Sequence, residues 1–148
     1  MSEKVSARVD VGILVGRVGL GLAMIIGHGW PKLSNFSMIS EKFPALFGMS
    51  SSVCLGLAVF AEFFCAILLV LGLLTRFSLI QLIATMAVGM YTHLIVWDQA
   101  LFAKPGEPSG EMALVYMIPF IVLFILGPGR ISLDQIIRSK KGSKSKKK

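Results

Sequence analysis

Long apolar runs separated by short polar connections dominate the chain. Four such runs cover residues 11–30, 53–74, 77–97 and 109–127. Each approaches or exceeds the length of about 20 mostly apolar residues that a helix needs to cross the hydrocarbon core of a bilayer. None of them shows the broad polar face of a soluble amphipathic helix. The pattern therefore predicts an all-α polytopic membrane protein, an antiparallel four-helix transmembrane bundle.

Composition supports the membrane class and suggests three regions. Hydrophobic residues make up 55% of the 148 residues and charged residues only 16%, which is too apolar for a soluble domain of this size. A cleaved signal peptide is not expected, because Arg17 interrupts the first apolar run. We expect a cytoplasmic lead at residues 1–10, the transmembrane domain at 11–134 and a basic, disordered cytoplasmic tail at 135–148.

Local residues predict where two helices end or begin. The first helix is expected to end near Trp30, because Pro31 cannot continue its hydrogen-bonded ladder. After the turn at 127–129, residues 131–139 are expected to form a short helix on the inner surface, with Ser132 as its cap.

The net charge of +7 is best explained by topology. With a cytoplasmic amino terminus, the outer side carries only Lys32, Lys42 and Lys104, and the inner side carries nearly all the other basic residues. The positive-inside rule then places both termini in the cytoplasm. We expect a multi-pass protein of the plasma membrane. The terminal lysines are expected to contact anionic lipid, and no nucleic acid partner is predicted.

The first apolar run carries two lengthwise stripes. Arg17 and His28 fall within about 20° of each other on a helix, and Gly21 and Met24 share their face. The second stripe consists of small residues, which allow close approach of another helix; its members are Gly12, Gly16, Gly19, Ala23 and Gly27. The run thus predicts a polar line and, beside it, a separate packing groove.

Two ionisable residues lie deep in apolar runs and are expected to pair. Isolated charges at the centre of a membrane helix cost about 2.5–3.5 kcal/mol each, so they normally have partners. A helix rise of about 1.5 Å per residue places Arg17 and Glu62 at depths in the bilayer close enough for the long arginine side chain to span the difference. We therefore predict an intramembrane Arg17–Glu62 ion pair, which would serve as a structural clasp, as part of a site for a ligand or proton, or as both.

Three further titratable residues are predicted near the outer ends of the helices, above Glu62. These are His28, His93 and Glu111, and Trp30 and Trp97 flank them as interfacial aromatic residues do. They are candidates for a ligand or proton site, although helix-end hydrogen bonding or the helix dipole explains each of them equally well. Two histidines on separate helices do not define a coordination shell, so no metal site is predicted.

The longest connection, residues 31–52, alternates apolar and polar side chains. Such a pattern suits a short element lying on the outer leaflet. It suits equally a lid over the mouth of the bundle, and the sequence does not separate the two interpretations.

Several motifs together resemble the DoxX family of small four-helix membrane proteins. They are RVGLGLAMIIGHGWPKL, AEFFCAILLVLGLLTR, the isolated His93 and Glu111, and GPGRISLD. By this resemblance Arg17, His28, Lys32, Glu62, Arg76, His93, Glu111 and the turn at 127–134 occupy characteristic family positions. Where the family tends to have two glycines after the glutamate, this chain has Cys65 and Ala66.

The resemblance implies a redox-linked role. Some members of the family are linked to thiosulfate:quinone oxidoreduction and others to membrane complexes of redox or antioxidant enzymes. The leading hypothesis is a membrane subunit that binds a quinone or a small sulfur compound in an outer polar pocket, where His28, Glu62 and His93 handle protons and Arg17 keeps Glu62 charged. Because no redox centre is evident in the chain, electrons would come from a partner redox enzyme or pass directly between bound molecules, and whether the chain is itself an enzyme stays open.

Two hypotheses from other classes remain at this point. A non-catalytic membrane anchor or scaffold would need only the packing groove, the outer loop and the basic tail. A small solute or proton carrier would need alternating access, for which a homo-oligomer would have to supply the missing inverted repeat.

Overall fold

Helices joined by turns make up the part of the chain that the structure describes. The computed structural model covers residues 3–102 and 104–145. Its helices are α1 (Glu3–Met24, Ile25–Gly29 and Trp30–Ser34), α2 (Phe36–Ser40), α3 (Ser51–Val59, Phe60–Cys65 and Ala66–Leu71), α4 (Thr75–Tyr91 and Thr92–Val96), α5 (Glu111–Leu126) and α6 (Leu133–Ser145).

Three of these helices are long and apolar enough to cross a membrane. They span Ala7–Ser34, Ser51–Leu71 and Thr75–Val96, and α5 is a shorter apolar helix. Large aliphatic side chains point outward along them, among them Ile26, Ile95 and Ile125, each about two-thirds exposed or more. Such an exposed apolar surface suits lipid rather than water. The protein is therefore an all-helical membrane protein.

Each long helix contains one π-helical turn, at Ile25–Gly29 in α1, Phe60–Cys65 in α3 and Thr92–Val96 in α4. In α1 the Trp30 N–H donates to Ile25 O, five residues earlier, just before Pro31. Proline has no N–H to give to the ladder, and the wider turn lets the helix pass it. The predicted end of the first helix near Trp30 is therefore wrong, since α1 continues to Ser34.

The buried core is shared by α1, α3, α4 and α5, with Met24, Leu69, Leu79 and Phe120 fully buried at its centre. Of these helices, α1 and α3 run antiparallel at close range. A Cβ at Gly29 would lie 2.5 Å from Glu62 O, and one at Gly21 would lie 3.2 Å from Ala66 O.

The predicted groove of small residues on α1 is wrong for most of its members. A Cβ added at Gly12, Gly19 or Gly27 would meet nothing within 4 Å, so these residues lie on the outer surface of the bundle. The close approach is made instead by Gly21 and Gly29, on the face that also carries buried Arg17. Burial of the guanidinium turns this face inward, so the polar line and the packing groove are one surface.

The turn after α5 folds back onto the connection between α3 and α4. α3 ends at Gly72 in the left-handed region (φ 67°), and the Leu73 N–H donates to Leu68 O, which is a glycine-capped helix end. Asp134 then accepts hydrogen bonds from the N–H groups of Leu74 and Thr75, both at 2.9 Å. We call this contact the Asp134 clamp.

The start of α6 follows from local capping. Ser132 Oγ accepts from the Gln135 N–H at 3.3 Å, which confirms the cap predicted for a short helix here. The helix then runs to Ser145, through most of the segment from 135 onward for which disorder is predicted. Residues 146–148 of that tail, and residues 1–2 of the lead, lie outside the described residues.

Candidate ligand-binding cavity

A cavity of about 420 Å³ lies between α3 and α4, in the half of the bundle that carries the π-helical turns. Its volume is in the range of small-molecule sites. Most of the wall is apolar or aromatic, and the polar side chains converge at a few points. The polar and ionisable residues of the wall are Lys32, Glu62, Gln81, Thr85, Thr92 and His93.

An ion pair between Lys32 and Glu62 forms part of the cavity wall. Lys32 Nζ donates to Glu62 Oε2, and the Glu62 side chain is only 4% exposed whereas that of Lys32 is 24% exposed. The pair forms because Gly29 has no side chain and lets α1 lie directly against the Glu62 backbone. Lys32, less than one turn beyond Gly29, then reaches across to the carboxylate.

The predicted Arg17–Glu62 ion pair is wrong. The Arg17 guanidinium lies next to Gly72, where a Cβ added to the glycine would overlap the Nη1 atom. Its Nη2 atom donates to Ile131 O at 2.8 Å. Ten residues of α3 separate Gly72 from Glu62, which is about 15 Å along a helix. α1 is longer than the sequence predicts, so Arg17 sits at the opposite end of the bundle from the cavity.

His93 lines the cavity and is held by two bonds to one residue. Its Nδ1 lies 2.6 Å from Gln99 Oε1, and its carbonyl accepts from the Gln99 N–H at 2.9 Å. Because an amide oxygen only accepts, Nδ1 is the protonated nitrogen in this arrangement. In that tautomer Nε2 is a hydrogen-bond acceptor. The His93 and Trp97 rings meet edge to face, with centroids 5.0 Å apart.

The remaining sequence candidates lie outside the cavity wall. His28 is half-buried, and its ring meets that of Tyr116 edge-on at 5.4 Å. Glu111 is exposed at the start of α5. Of the five predicted residues, the structure thus places Glu62 and His93 in the cavity wall. His28 lies outside the wall but close enough to Glu62 and Lys32 to interact with their charges, whereas Arg17 and Glu111 lie elsewhere.

Two residues of the cavity wall are not among the predicted site residues. Lys32 is named by resemblance alone, as a characteristic family position. It follows His28 by four residues and so continues the stripe that starts at Arg17, but it lies beyond the predicted helix end near Trp30. Gln81 is an isolated polar side chain within an apolar run, as Glu62 is, and this pattern marks a candidate site residue.

The long connection after α1 covers one end of the cavity. Phe43, Pro44, Leu46 and Phe47 line it, and the Phe47 ring stacks on Tyr91 with centroids 5.7 Å apart. Of the two interpretations left open by the sequence, the contacts favour a lid for this part of the connection. The preceding helix α2 leaves Met38 two-thirds exposed, as an interfacial element would.

The side of the cavity is bordered by exposed residues of the two helices that form it. Leu57 and Phe60 of α3 and Val88 of α4 line the cavity and are also exposed on the surface of helices apolar enough to cross a membrane. An apolar molecule could therefore approach from the lipid as well as from beneath the lid.

The chemistry available in the cavity is polar recognition and proton transfer. Lys32 supplies a cation, Glu62 a carboxylate and His93 an imidazole, while Gln81 supplies an amide. In the part of the chain that the structure describes, no three His, Cys, Asp or Glu residues lie close enough together to hold a metal ion.

Comparison with known proteins agrees with this architecture. Residues 12–94, more than half of the chain, match the family model of DoxX. An uncharacterized protein of Haemophilus influenzae is 27% identical over 130 residues, a match that covers 84% of this chain and 78% of that protein. No solved structure matches the chain significantly. The matched segment contains α1 from residue 12 onward, the lid and α3, and it reaches His93 in α4. Nearly all of the cavity wall therefore lies within it, and the chain belongs to the DoxX family.

Proposed function

We propose that this protein is the membrane subunit of a redox-linked complex and binds a quinone or a small sulfur compound in the cavity between α3 and α4. It would span the plasma membrane four times with both termini in the cytoplasm. The cavity then opens in the outer half of the bilayer, beneath the lid at residues 43–49.

The observation that carries this proposal is the Lys32–Glu62 pair in the cavity wall. A buried ion pair is a poor source of stability, because the cost of removing both charges from water offsets their attraction. Ionisable groups inside a membrane domain are therefore candidates for function first. This pair faces a ligand-sized space with aromatic walls, which is where such a role would be exercised.

The residues of the wall fit a quinone head group. Phe43, Phe60 and Trp97 provide apolar surface for a flat ring, and Lys32 and Gln81 provide donors for carbonyl oxygens. A bound quinone would supply the redox chemistry itself, and the chain would bind and orient it. Glu62 and His93 would take up or deliver the accompanying protons, since both can change protonation state.

The proposal of four membrane spans requires that α5 also cross the bilayer. Its 16 residues reach about 24 Å, somewhat less than the hydrocarbon thickness of about 30 Å. Local thinning of the bilayer accommodates such a mismatch at modest cost. Since α5 contributes Phe120 and Leu123 to the same core as the three longer helices, its place is beside them in the membrane.

Ligand binding can be followed through Trp97, which borders the cavity. The chain, in a Trp30→Phe background and in lipid nanodiscs, is titrated with decylubiquinone and separately with thiosulfate. We expect saturable quenching of Trp97 by one of them, with affinity about tenfold weaker or worse in Glu62→Gln, because the carboxylate that positions Lys32 is lost. Glu107→Gln, an exposed carboxylate in the loop before α5, is the matched control and should bind normally.

Absence of saturable quenching by both probes would contradict the proposal. In that case the scaffold hypothesis becomes the better one, since the exposed small-residue face of α1 at Gly12, Gly19 and Gly27 would suit a partner helix. A protein that co-purifies with the chain and is lost in Gly19→Ile would identify that function.

A further inference from the structure

α6 is exposed along its described side chains, except at Asp134. Ile136 and Ile137 are each nearly half exposed, as is Ile131 just before the helix, and Leu133 is 38% exposed. Leu133, Ile136 and Ile137 follow the spacing of one helix face. The face is too apolar for water, and the part of the chain that the structure describes does not cover it.

Hydrogen bonds to the rest of the bundle hold the start of α6 in place. The Asp134 clamp ties the first turn of α6 to the α3–α4 connection, and the Asp134 N–H in turn donates to Gly72 O at 2.9 Å. Ser132 Oγ caps the helix and donates to Gly129 O at 2.8 Å. The first turn of α6 is therefore held at the α3–α4 connection, beside the ends of two helices that are long and apolar enough to cross a membrane.

Basic residues follow the apolar face in the sequence. Arg138 and six lysines follow Leu133 in the sequence, and the single acidic residue in this stretch, Asp134, is engaged in the clamp. Lys140 lies one heptad after Leu133, so it extends the apolar face by a turn. A lysine in that position keeps its stem on an apolar surface while its ammonium reaches a phosphate.

We propose that α6 docks on the anionic lipid headgroups of the bilayer in which the protein itself resides. Leu133, Ile136 and Ile137 enter the boundary between headgroups and acyl chains, and the lysines bind the phosphates. The combination of an apolar face, excess positive charge and a fixed position at the membrane surface is what interfacial helices require. This inference does not depend on the ligand of the cavity.

Hydrogen–deuterium exchange of the complete chain in nanodiscs tests the proposal. One set of discs contains phosphatidylcholine alone, and the other contains about 30 mol% phosphatidylglycerol. We expect the amides of residues 133–145 to exchange at least about fivefold more slowly in the anionic discs, with the difference disappearing at high salt. The amides of residues 75–96 serve as an internal reference and should be unaffected.

Two double variants, each lacking two lysines, distinguish docking of α6 on anionic lipid from an effect of the protein's net charge. Lys140→Gln with Lys141→Gln should lose most of the dependence on anionic lipid, whereas Lys42→Gln with Lys104→Gln, on the other side of the membrane, should keep it. Equal exchange of α6 in the two lipids would overturn the proposal. So would anionic protection that survives in the Lys140→Gln, Lys141→Gln variant.

Discussion

Two basic side chains of α1 lie at opposite ends of the bundle and have different partners. Arg17 is almost fully buried and donates to the carbonyl of Ile131, whereas Lys32 pairs with Glu62 beside the cavity. The arginine therefore holds the turn that leads into α6, and the lysine belongs to the candidate site. Their separate environments make the pairing of Glu62 testable by substitution.

Removal of the Glu62 carboxylate should destabilise the protein by leaving Lys32 without its partner. We expect Glu62→Leu to lower the free energy of unfolding by about 2 kcal/mol, less than for a fully buried pair because Lys32 is partly exposed. Addition of Lys32→Met should recover most of the loss, while addition of Arg17→Leu should not. Thermal unfolding of the four proteins in detergent measures this. Recovery by the Arg17 substitution would restore the original pairing hypothesis.

The Asp134 clamp should give α6 a pH-dependent attachment. Burial raises the pKa of Asp134, but hydrogen bonds from the Thr75 and Leu74 N–H groups and the charge of Arg138 lower it by more, so the net value falls below the ordinary 3.8. A carboxyl group whose folded pKa is lowered stabilises the fold fully above its ordinary pKa, and this contribution is lost as the pH falls through the folded pKa.

Asp134→Asn should therefore destabilise the protein at neutral pH and lose its effect in acid. We expect a loss of about 1–2 kcal/mol near neutral pH, since one amide group replaces an acceptor oxygen of the clamp. Unfolding of the variant and of the unsubstituted chain, compared from neutral pH to below pH 3.8, measures the difference. Asp98→Asn, at an exposed loop position, is the control. A difference that stays constant into acid would show that the carboxylate charge does not hold the clamp.

At the scale of elements, the π-helical turns and the glycines of α1 decide which helices touch. Each turn carries one titratable candidate, namely His28, Glu62 or His93. A π turn rotates the following residues relative to a regular helix, and such turns occur often at functional sites. Where α1 meets α3, Gly29 in the π turn of α1 packs directly against the backbone of Glu62 in the π turn of α3.

Two glycines of the same turn should respond oppositely to alanine. Gly29→Ala would bring a Cβ to 2.5 Å from the Glu62 carbonyl oxygen and should cost about 2 kcal/mol or more of stability, because backbone must move. Gly27→Ala meets nothing within 4 Å and should be neutral or stabilising by up to about 1 kcal/mol through helix propensity. Unfolding midpoints in detergent distinguish the two. A larger loss at Gly27 would reinstate the predicted small-residue groove.

At the scale of the whole molecule, the proposed topology places the cavity and α6 on opposite sides of the membrane. The lid covers one end of the cavity, and the Asp134 clamp lies at the other end of the bundle. The distribution of basic residues supports the proposed orientation through the positive-inside rule. The cavity would therefore serve molecules of the outer leaflet, and α6 the lipid of the inner one.

Labelling with a membrane-impermeant maleimide tests this topology in intact cells. In a background of Cys54→Ala and Cys65→Ala, Lys104→Cys should react from outside, whereas Ser139→Cys should react only after the cells are permeabilised. Both positions are exposed, so accessibility to the reagent decides the result. Labelling of Ser139→Cys in intact cells would reverse the orientation.

The sequence determined the class of the protein because long apolar helices must satisfy their backbone groups internally in lipid, and this constraint leaves few alternatives. Local signals were equally reliable where a cap depends on neighbouring residues, as at Ser132. Only the tertiary structure decided which charged side chains form ion pairs. The partner of Glu62 depends on how far α1 slides along α3, and that distance is set by a π turn and by one backbone contact at Gly29, neither of which has a fixed sequence pattern.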